Sequence, residues 1–247
     1  MKKSNHNKKQ KKFVITSNGP KRKFNSKKYK NLSKCVLSHC KGDNNLFEFI
    51  NFRGSHLSKC SFNKSNIHGC DFWGATFNKC KFKGAVIDNC VFQGCIFRNC
   101  DFTNALIKKT IFVNTNLTDC KNLNINNGSS NQILNHYPNP QISIELQSKL
   151  IKLKKSKTTG FVRTIWINEN KINKLNFYLL LQHYSDFELC CYFQKIILEN
   201  NKNNFITYGA LINKFLLLRK SCILNKSCPT QSRDCVANGL GNKDWGL

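Results

Sequence analysis

The sequence predicts a mixed β and α chain: a rod wound from short flat sides, followed by a small helical domain. Three observations predict it. Over residues 52–117 every fifth residue is large and apolar. A small residue stands two places before nearly every one of them. From Ile142 onward, apolar residues recur at helical spacing instead.

The five-residue spacing is the strongest of the three. Phe52, Leu57, Phe62, Ile67, Phe72, Phe77, Phe82, Ile87, Phe92, Phe97, Phe102, Ile107, Phe112 and Leu117 follow one another without a break. A helix repeats at 3.6 residues and a strand at 2, so neither produces this pattern. A coiled chain does, if each side turns one large and one small residue inward and leaves three outside.

The repeats stand as Cys70-Asp71-Phe72-Trp73-Gly74, Ala75-Thr76-Phe77-Asn78-Lys79, Cys100-Asp101-Phe102-Thr103-Asn104 and Ala105-Leu106-Ile107-Lys108-Lys109. They resemble the A(D/N)LXX motif of the pentapeptide-repeat family. The resemblance covers residues 47–121, and Cys35, Leu37 and Cys40 keep register ahead of Gly42, so the repeat domain is expected over 32–121. It implies a right-handed quadrilateral parallel β-helix with four pentapeptides per coil. Residues 20 apart then stack: Phe52, Phe72, Phe92 and Phe112 on one side, Phe47, Ile67, Ile87 and Ile107 on another. The sorting of aromatic and aliphatic residues by column supports the 20-residue coil on its own. About four coils at about 4.8 Å each give a rod about 20 Å long.

Nine of the 14 cysteines fall between Cys35 and Cys120, all in the repeat register. Cys60, Cys80, Cys100 and Cys120 form one inward column, in which a thiol serves as a small apolar filler. No secretory signal or transmembrane segment is evident, so the chain is expected to be cytoplasmic with reduced thiols. No metal or other cofactor is expected.

The residue before each centre faces outward in this fold, where the family prefers Asp or Asn. Val86, Val91, Ile96, Leu106 and Ile111 depart from that preference and form a candidate contact patch. Its expected occupant is the C-terminal region of the same chain, and the competing one is a homodimer or protein partner.

Residues 122–141 are rich in Asn, Gly, Ser and Pro and read as a linker or final turn. Helices are predicted for Ile142–Lys155 and near 172–184, 186–200 and 205–220, within a domain spanning 142–221. Lys220 is expected in the last turn of the fourth, and Phe161–Ile167 as a short strand. His183 reads as an ordinary helix-face histidine. Residues 222–247, with Cys222, Cys228 and Cys235, read as a polar tail.

The formal charge is +27, and residues 1–42 carry 14 basic residues and no acid. Residues 1–31 read as a mobile basic arm, with Lys21, Arg22, Lys23, Lys27 and Lys28 as candidate contacts to nucleic acid or another polyanion. The chain contains no Walker loop, dinucleotide glycine motif, HExxH or supported carboxylate pair. The reading is therefore a non-catalytic interaction scaffold. The best understood branch of the family binds DNA gyrase or topoisomerase IV by resembling negatively charged duplex DNA. A chain of +27 has the wrong sign for that. An enzyme in the helical domain is the third reading, without a motif behind it.

Overall fold

The computed structural model describes residues 13–16, 20–128, 130–155, 164–168, 170–199 and 205–225. Among the described residues, the chain forms a parallel β-solenoid followed by four helices and a short antiparallel strand pair. Its four faces are labelled A to D here, in the order in which the chain visits them.

Face A stacks Val14–Ile15, Val36–Ser38, His56–Ser58, Thr76–Asn78 and Ile96–Arg98, all parallel, and Ile96 bridges on to Asn116. Face B runs from Arg22–Lys23 to Cys40–Lys41, through bridges at Ser61 and Lys81, to Cys100–Asp101 and Cys120–Lys121. Face C stacks Lys27–Lys28, Leu46–Glu48, Asn66–His68, Val86–Asp88 and Leu106–Lys108. Face D begins with bridges through Asn31, Asn51 and Asp71, then pairs Val91–Gln93 with Ile111–Val113 and that with Gln132–Leu134. Between Asn31 and Lys121 each partner lies 20 residues on, as the column sorting requires. The six rungs of face A give a rod about 24 Å long.

The corners explain why the repeat is five. Every fifth residue from Tyr29 to Asn114, two places after each centre, has a left-handed backbone. Such a residue turns the chain sharply between two short extended sides. Five of these corners are Gly and five are Asn, the residues for which a positive φ costs least. Five others are lysines: Lys34, Lys59, Lys64, Lys79 and Lys109.

The interior is filled by stacked rings. Phe72 lies between Phe52 at 5.2 Å and Phe92 at 4.6 Å, and Phe92 continues to Phe112 at 5.0 Å. Phe62, Phe82 and Phe102 stack on face B at 5.5 and 4.8 Å. Ring planes within a column are nearly parallel, an offset-stacked arrangement that adds to the burial term. All fourteen predicted centres face inward; thirteen are buried and Leu117, at the last rung, is partly covered.

The solenoid is longer than the predicted 32–121. It takes in residues 13–16 and 20–31 at one end, so the described part of the predicted arm 1–31 forms its first rung, while residues 1–12 and 17–19 lie outside the described residues. The spacing there departs from 20: Val14 pairs with Val36 and Arg22 with Cys40. Offsets of 22 and 18 hide that rung from any search at period five. Phe24 anchors it, buried to 1 % exposure, stacked on Phe47 at 5.2 Å and edge-on to Phe62 at 6.3 Å. This also accounts for Gly42, the missing centre of face B. A Cβ there would lie 3.0 Å from the Phe62 ring and 3.1 Å from Phe47. At the other end, the predicted linker 122–141 contributes a 3-10 turn, Ile125–Asn127, and the strand Gln132–Leu134 that adds a rung to face D. The turn and Asn131, whose Nδ2 donates to the Ile107 carbonyl at 2.6 Å, close the edge of face C.

Two bodies divide the chain, Met1–Ile212 and Asn213–Leu247. The first holds the solenoid, α1 (Ile144–Lys155), α2 (Lys174–Leu181), α3 (Asp186–Leu198) and the first turn of α4 (Tyr208–Asn225). The remaining described residues of α4 belong to the second. The helix α1 buries Leu146, Leu150 and Leu153 and packs on α3. Ser185 begins α3 with a capping box: its side chain accepts from the Glu188 N–H while Glu188 accepts from the Ser185 N–H. The predicted strand over Phe161–Ile167 is instead Trp166–Asn168, paired antiparallel with Lys171–Ile172; residues 161–163 lie outside the described set. Lys220 is not in the last turn of α4, because that helix runs on to Asn225. His183 is exposed beyond the end of α2. Of the predicted tail, 226–247 lie outside the described residues, as do Cys228 and Cys235, while Cys222 falls within α4. Among the described residues, no helix is long and apolar enough to cross a membrane.

Candidate interaction surfaces

The inward positions leave little room for chemistry. The thiols of Cys60, Cys80 and Cys100 donate to the carbonyls of Leu37, Leu57 and Phe77, at 3.4, 3.4 and 3.6 Å. Ser55 and Thr115 use hydroxyls in the same way, on Leu32 at 2.9 Å and Phe92 at 3.1 Å. Each donor reaches a centre residue 23 positions earlier, in the coil below. The position selects a small side chain, filled by Ala75, Ala85 and Ala105 as well as by Cys, Ser and Thr, and the last three add this donor. Among the cysteines with described side chains, Cys35 to Cys191, there is no disulfide. Burial pushes Cys95 and Cys120 up to about 12 and Cys90 well above its ordinary value. Shared hydrogen bonds with Cys100 and Cys60, then burial, raise Cys80, while the same bonds ease ionisation of Cys60 and Cys100.

The outward positions carry the polar and charged side chains, and the faces differ. Face D is occupied by the chain itself. Its outward side chains Arg53, Asp71, Trp73, Val91 and Gln93 line a small cleft with Thr164, Asn173, Asn176 and Ile206. The Arg53 guanidinium stacks on the Trp73 ring at 3.5 Å. Asn173 caps α2 by accepting from the Asn176 N–H, and Asn176 Nδ2 donates to the Thr164 carbonyl at 2.7 Å. One corner of the rod touches the start of α4 backbone to backbone. A Cβ on Gly209 would lie 2.4 Å from the Gly69 Cα, so no side chain fits there.

Asp71 joins the two elements. Its Oδ2 accepts from the Tyr208 N–H at 3.0 Å, the first free amide of α4, while Thr207 Oγ1 accepts from the Ala210 N–H. Its Oδ1 is shut off from solvent with no hydrogen-bond partner. Burial raises the carboxyl to about 7, against the lowering effects of the Tyr208 amide and the Arg53 charge. The helix N-terminus attracts a carboxylate by only about 0.3–1 kcal/mol, so desolvation wins. Nothing in the periodic pattern distinguished Asp71 from Asp101, because the difference lies in what covers each.

The predicted apolar patch is divided between faces. Val91 and Ile111 stack on face D and are buried, 4 % and 6 % exposed, so they present nothing to a partner. Val86 and Leu106 stack on face C, where Leu106 is 38 % exposed, and Ile96 stands apart on face A at 47 %. These three do not make one continuous surface with Val91 and Ile111.

The predicted anion-binding residues are rungs, with backbones fixed in the ladder. Lys21, Arg22 and Lys23 are exposed at the start of face B. The Lys27 ammonium sits 5.2 Å from the Phe24 ring, and Lys28 pairs with Glu48 at 3.0 Å, on face C. Sequence reasoning missed where the remaining cations go. Between residues 32 and 121, face A, face B and the two corners that bound face B carry Lys41, Lys59, Lys64, Lys79, Lys81, Lys83, Arg98 and Lys121. All eight are exposed. Faces C and D and the corner between D and A carry Lys34, Arg53, Lys108 and Lys109, of which only Lys34, at the D–A corner, is exposed. The acids of the A–B side are Asp43, Asp101 and Asp119, and two are engaged locally. Asp43 accepts from the Asn63 N–H at 2.9 Å, and Asp101 binds Thr103 at 2.6 Å and Lys83 at 3.2 Å. The signal lay in the sequence as lysines at corner positions, and it required the four-sided winding to read.

Residues 77–121 match the family described as pentapeptide repeats (9 copies), and residues 47–84 that described as pentapeptide repeats (8 copies). No curated protein matches the chain. Among solved structures, the chain is similar to Rfr23, a pentapeptide repeat protein of the cyanobacterium Cyanothece 51142. The identity is 11 %, over 49 % of this chain and 88 % of that one, with a TM-score of 0.32. It is similar to HetL of Nostoc sp. strain PCC 7120, described as involved in heterocyst differentiation regulation. There the identity is 10 %, over 43 % and 46 %, with a TM-score of 0.25. It is also similar to QnrB1, described as a plasmid-mediated fluoroquinolone resistance protein, at 14 % identity over 50 % and 92 %, with a TM-score of 0.19. The two family matches coincide with the unbroken ladder of five-residue sides, and residues 47–121 are a run of pentapeptide repeats.

Proposed function

We propose that this protein is a non-catalytic interaction scaffold that engages an anionic macromolecule through the A–B side of its rod. One observation carries the reading: eight exposed cations gather on that side, while the chain's own C-terminal residues occupy face D. Lys59 and Lys79 stand at the same corner of adjacent rungs, and Lys81 and Lys83 flank a single centre on the next side. Like charges this close repel, and a polyanion relieves that repulsion. The reading differs from DNA mimicry in sign and from the predicted arm in place.

Two quadruple variants test it. Lys59→Gln, Lys79→Gln, Lys81→Gln and Lys83→Gln together are expected to release the protein from immobilised heparin at clearly lower salt. Lys34→Gln, Arg53→Gln, Lys108→Gln and Lys109→Gln remove the same charge elsewhere and are expected to shift elution much less. Equal shifts would reduce the interaction to net charge.

A further inference from the structure

We infer that the anionic partner of the A–B side is the sugar-phosphate backbone of a nucleic-acid duplex. This rests on the scaffold reading above and adds the identity of the partner. Three features of the surface point to it. The cations spread over the length of a straight rod, from Lys41 in the second rung to Lys121 in the last, and Lys23 extends the column one rung further. A duplex carries one negative charge per about 1.7 Å of axis, so the rod's length of about 24 Å faces about 14 phosphates. About half of those can turn toward one flat side, which matches eight cations in scale.

The residues between the cations say what the partner is not. Ser58, Asn63, Asn78 and Thr103 separate them, and among the described residues no aromatic side chain is exposed on face B or its corners. Single strands are held by stacking bases on aromatic side chains, which face B lacks, whereas Phe13 and Ile96 are exposed on face A. A membrane surface is engaged by basic residues together with inserted Trp, Phe or Leu, and face B offers none. The surface has mostly lysines rather than the bidentate arginines that read base edges, with Arg22 and Arg98 as the exceptions. Charge with small polar spacers is suited to holding a backbone without reading its sequence.

The geometry also predicts the kind of binding. Each lysine that neutralises a phosphate adds about 0.9 to the slope of log affinity against log salt. Binding is therefore steeply salt-dependent and indifferent to base sequence.

The test is fluorescence anisotropy with the full chain. The probes are a labelled DNA duplex of about two helical turns, a single strand of the same length, and vesicles of phosphatidylcholine with phosphatidylserine, between about 50 and 200 mM salt. The duplex is expected to bind tightest, and two unrelated duplex sequences equally. The four-lysine variant is expected to lose about 3–4 from the salt slope. Its unfolding midpoint should match that of the unaltered chain, since exposed substitutions of this kind shift stability little. Tighter binding to the single strand or the vesicles overturns the duplex assignment. Salt-sensitive heparin binding through the same lysines without duplex binding also overturns it, and leaves the scaffold reading in place. Failure to bind any polyanion overturns both.

Discussion

Phe77→Ala is expected to lower the unfolding free energy by about 3–5 kcal/mol. Phe77 is fully buried. Its ring stacks on Phe97 at 4.7 Å and meets Phe72 and Phe82 at 5.5 and 5.9 Å. Truncation therefore opens a cavity between three columns at once, in a rod whose neighbouring rungs are pinned by ladder hydrogen bonds. Collapse around the cavity would have to break that register. Phe77→Leu keeps most of the volume and is expected to cost about 1 kcal/mol. Urea unfolding followed by circular dichroism checks both. A cost below about 1.5 kcal/mol for the alanine variant would mean that this ring does not stand in a closed, stacked interior.

The second large effect concerns pH. Burial raises the Asp71 carboxyl to about 7, whereas an aspartate in the unfolded chain titrates near 4. The folded chain thus holds this proton more tightly than the unfolded one. The contribution to stability is fully present below about 4, falls as pH rises from about 4 to 7, and is gone above that. Asp71→Asn keeps an oxygen to accept the Tyr208 N–H at the start of α4 and never ionises. It is expected to leave stability unchanged near pH 4 and to raise it near pH 8 by about 2 kcal/mol, a figure discounted for the partial exposure of the residue. Thermal unfolding across pH 4–8 reads this directly. A variant less stable than the parent at pH 8 would show that the charged form is the one the helix start requires.

The parts of the fold that could be read in the sequence are those governed by period. Residues 52–117 repeat at five because each side turns one large residue inward and ends in a left-handed corner, and both demands act locally. The first rung escaped because its offsets of 22 and 18 break the period, although Phe24 fills the space that Gly42 vacates. The strand Gln132–Leu134 escaped for a similar reason: Ile133 pairs with Phe112 across an offset of 21, through a segment rich in Asn and Ser. Helix positions were legible from apolar spacing, but their ends were not. The capping box at Ser185 marks one start, whereas Lys220 gave a false stop.

The candidate surface was only half legible. Lys21, Arg22 and Lys23 were recognised as basic, but as an arm rather than as the opening rung of face B. The corner lysines carry no local signature. Lys59 and Lys109 have the same repeat position and the same left-handed backbone, yet they lie on different corners of the rod. The buried pair Val91 and Ile111 looked continuous with Val86, Ile96 and Leu106 because sequence spacing does not say which face the C-terminal residues cover.

The central claim is that positive charge on this rod is gathered on one side for a partner. Lysine acetylation of the native chain, with and without heparin and followed by mass spectrometry, tests it most directly. Heparin is expected to protect Lys41, Lys59, Lys79, Lys81 and Lys83 and to leave Lys34, Lys108 and Lys109 at their unprotected rates. Uniform protection across all of these lysines, or protection confined to the second group, would contradict the account.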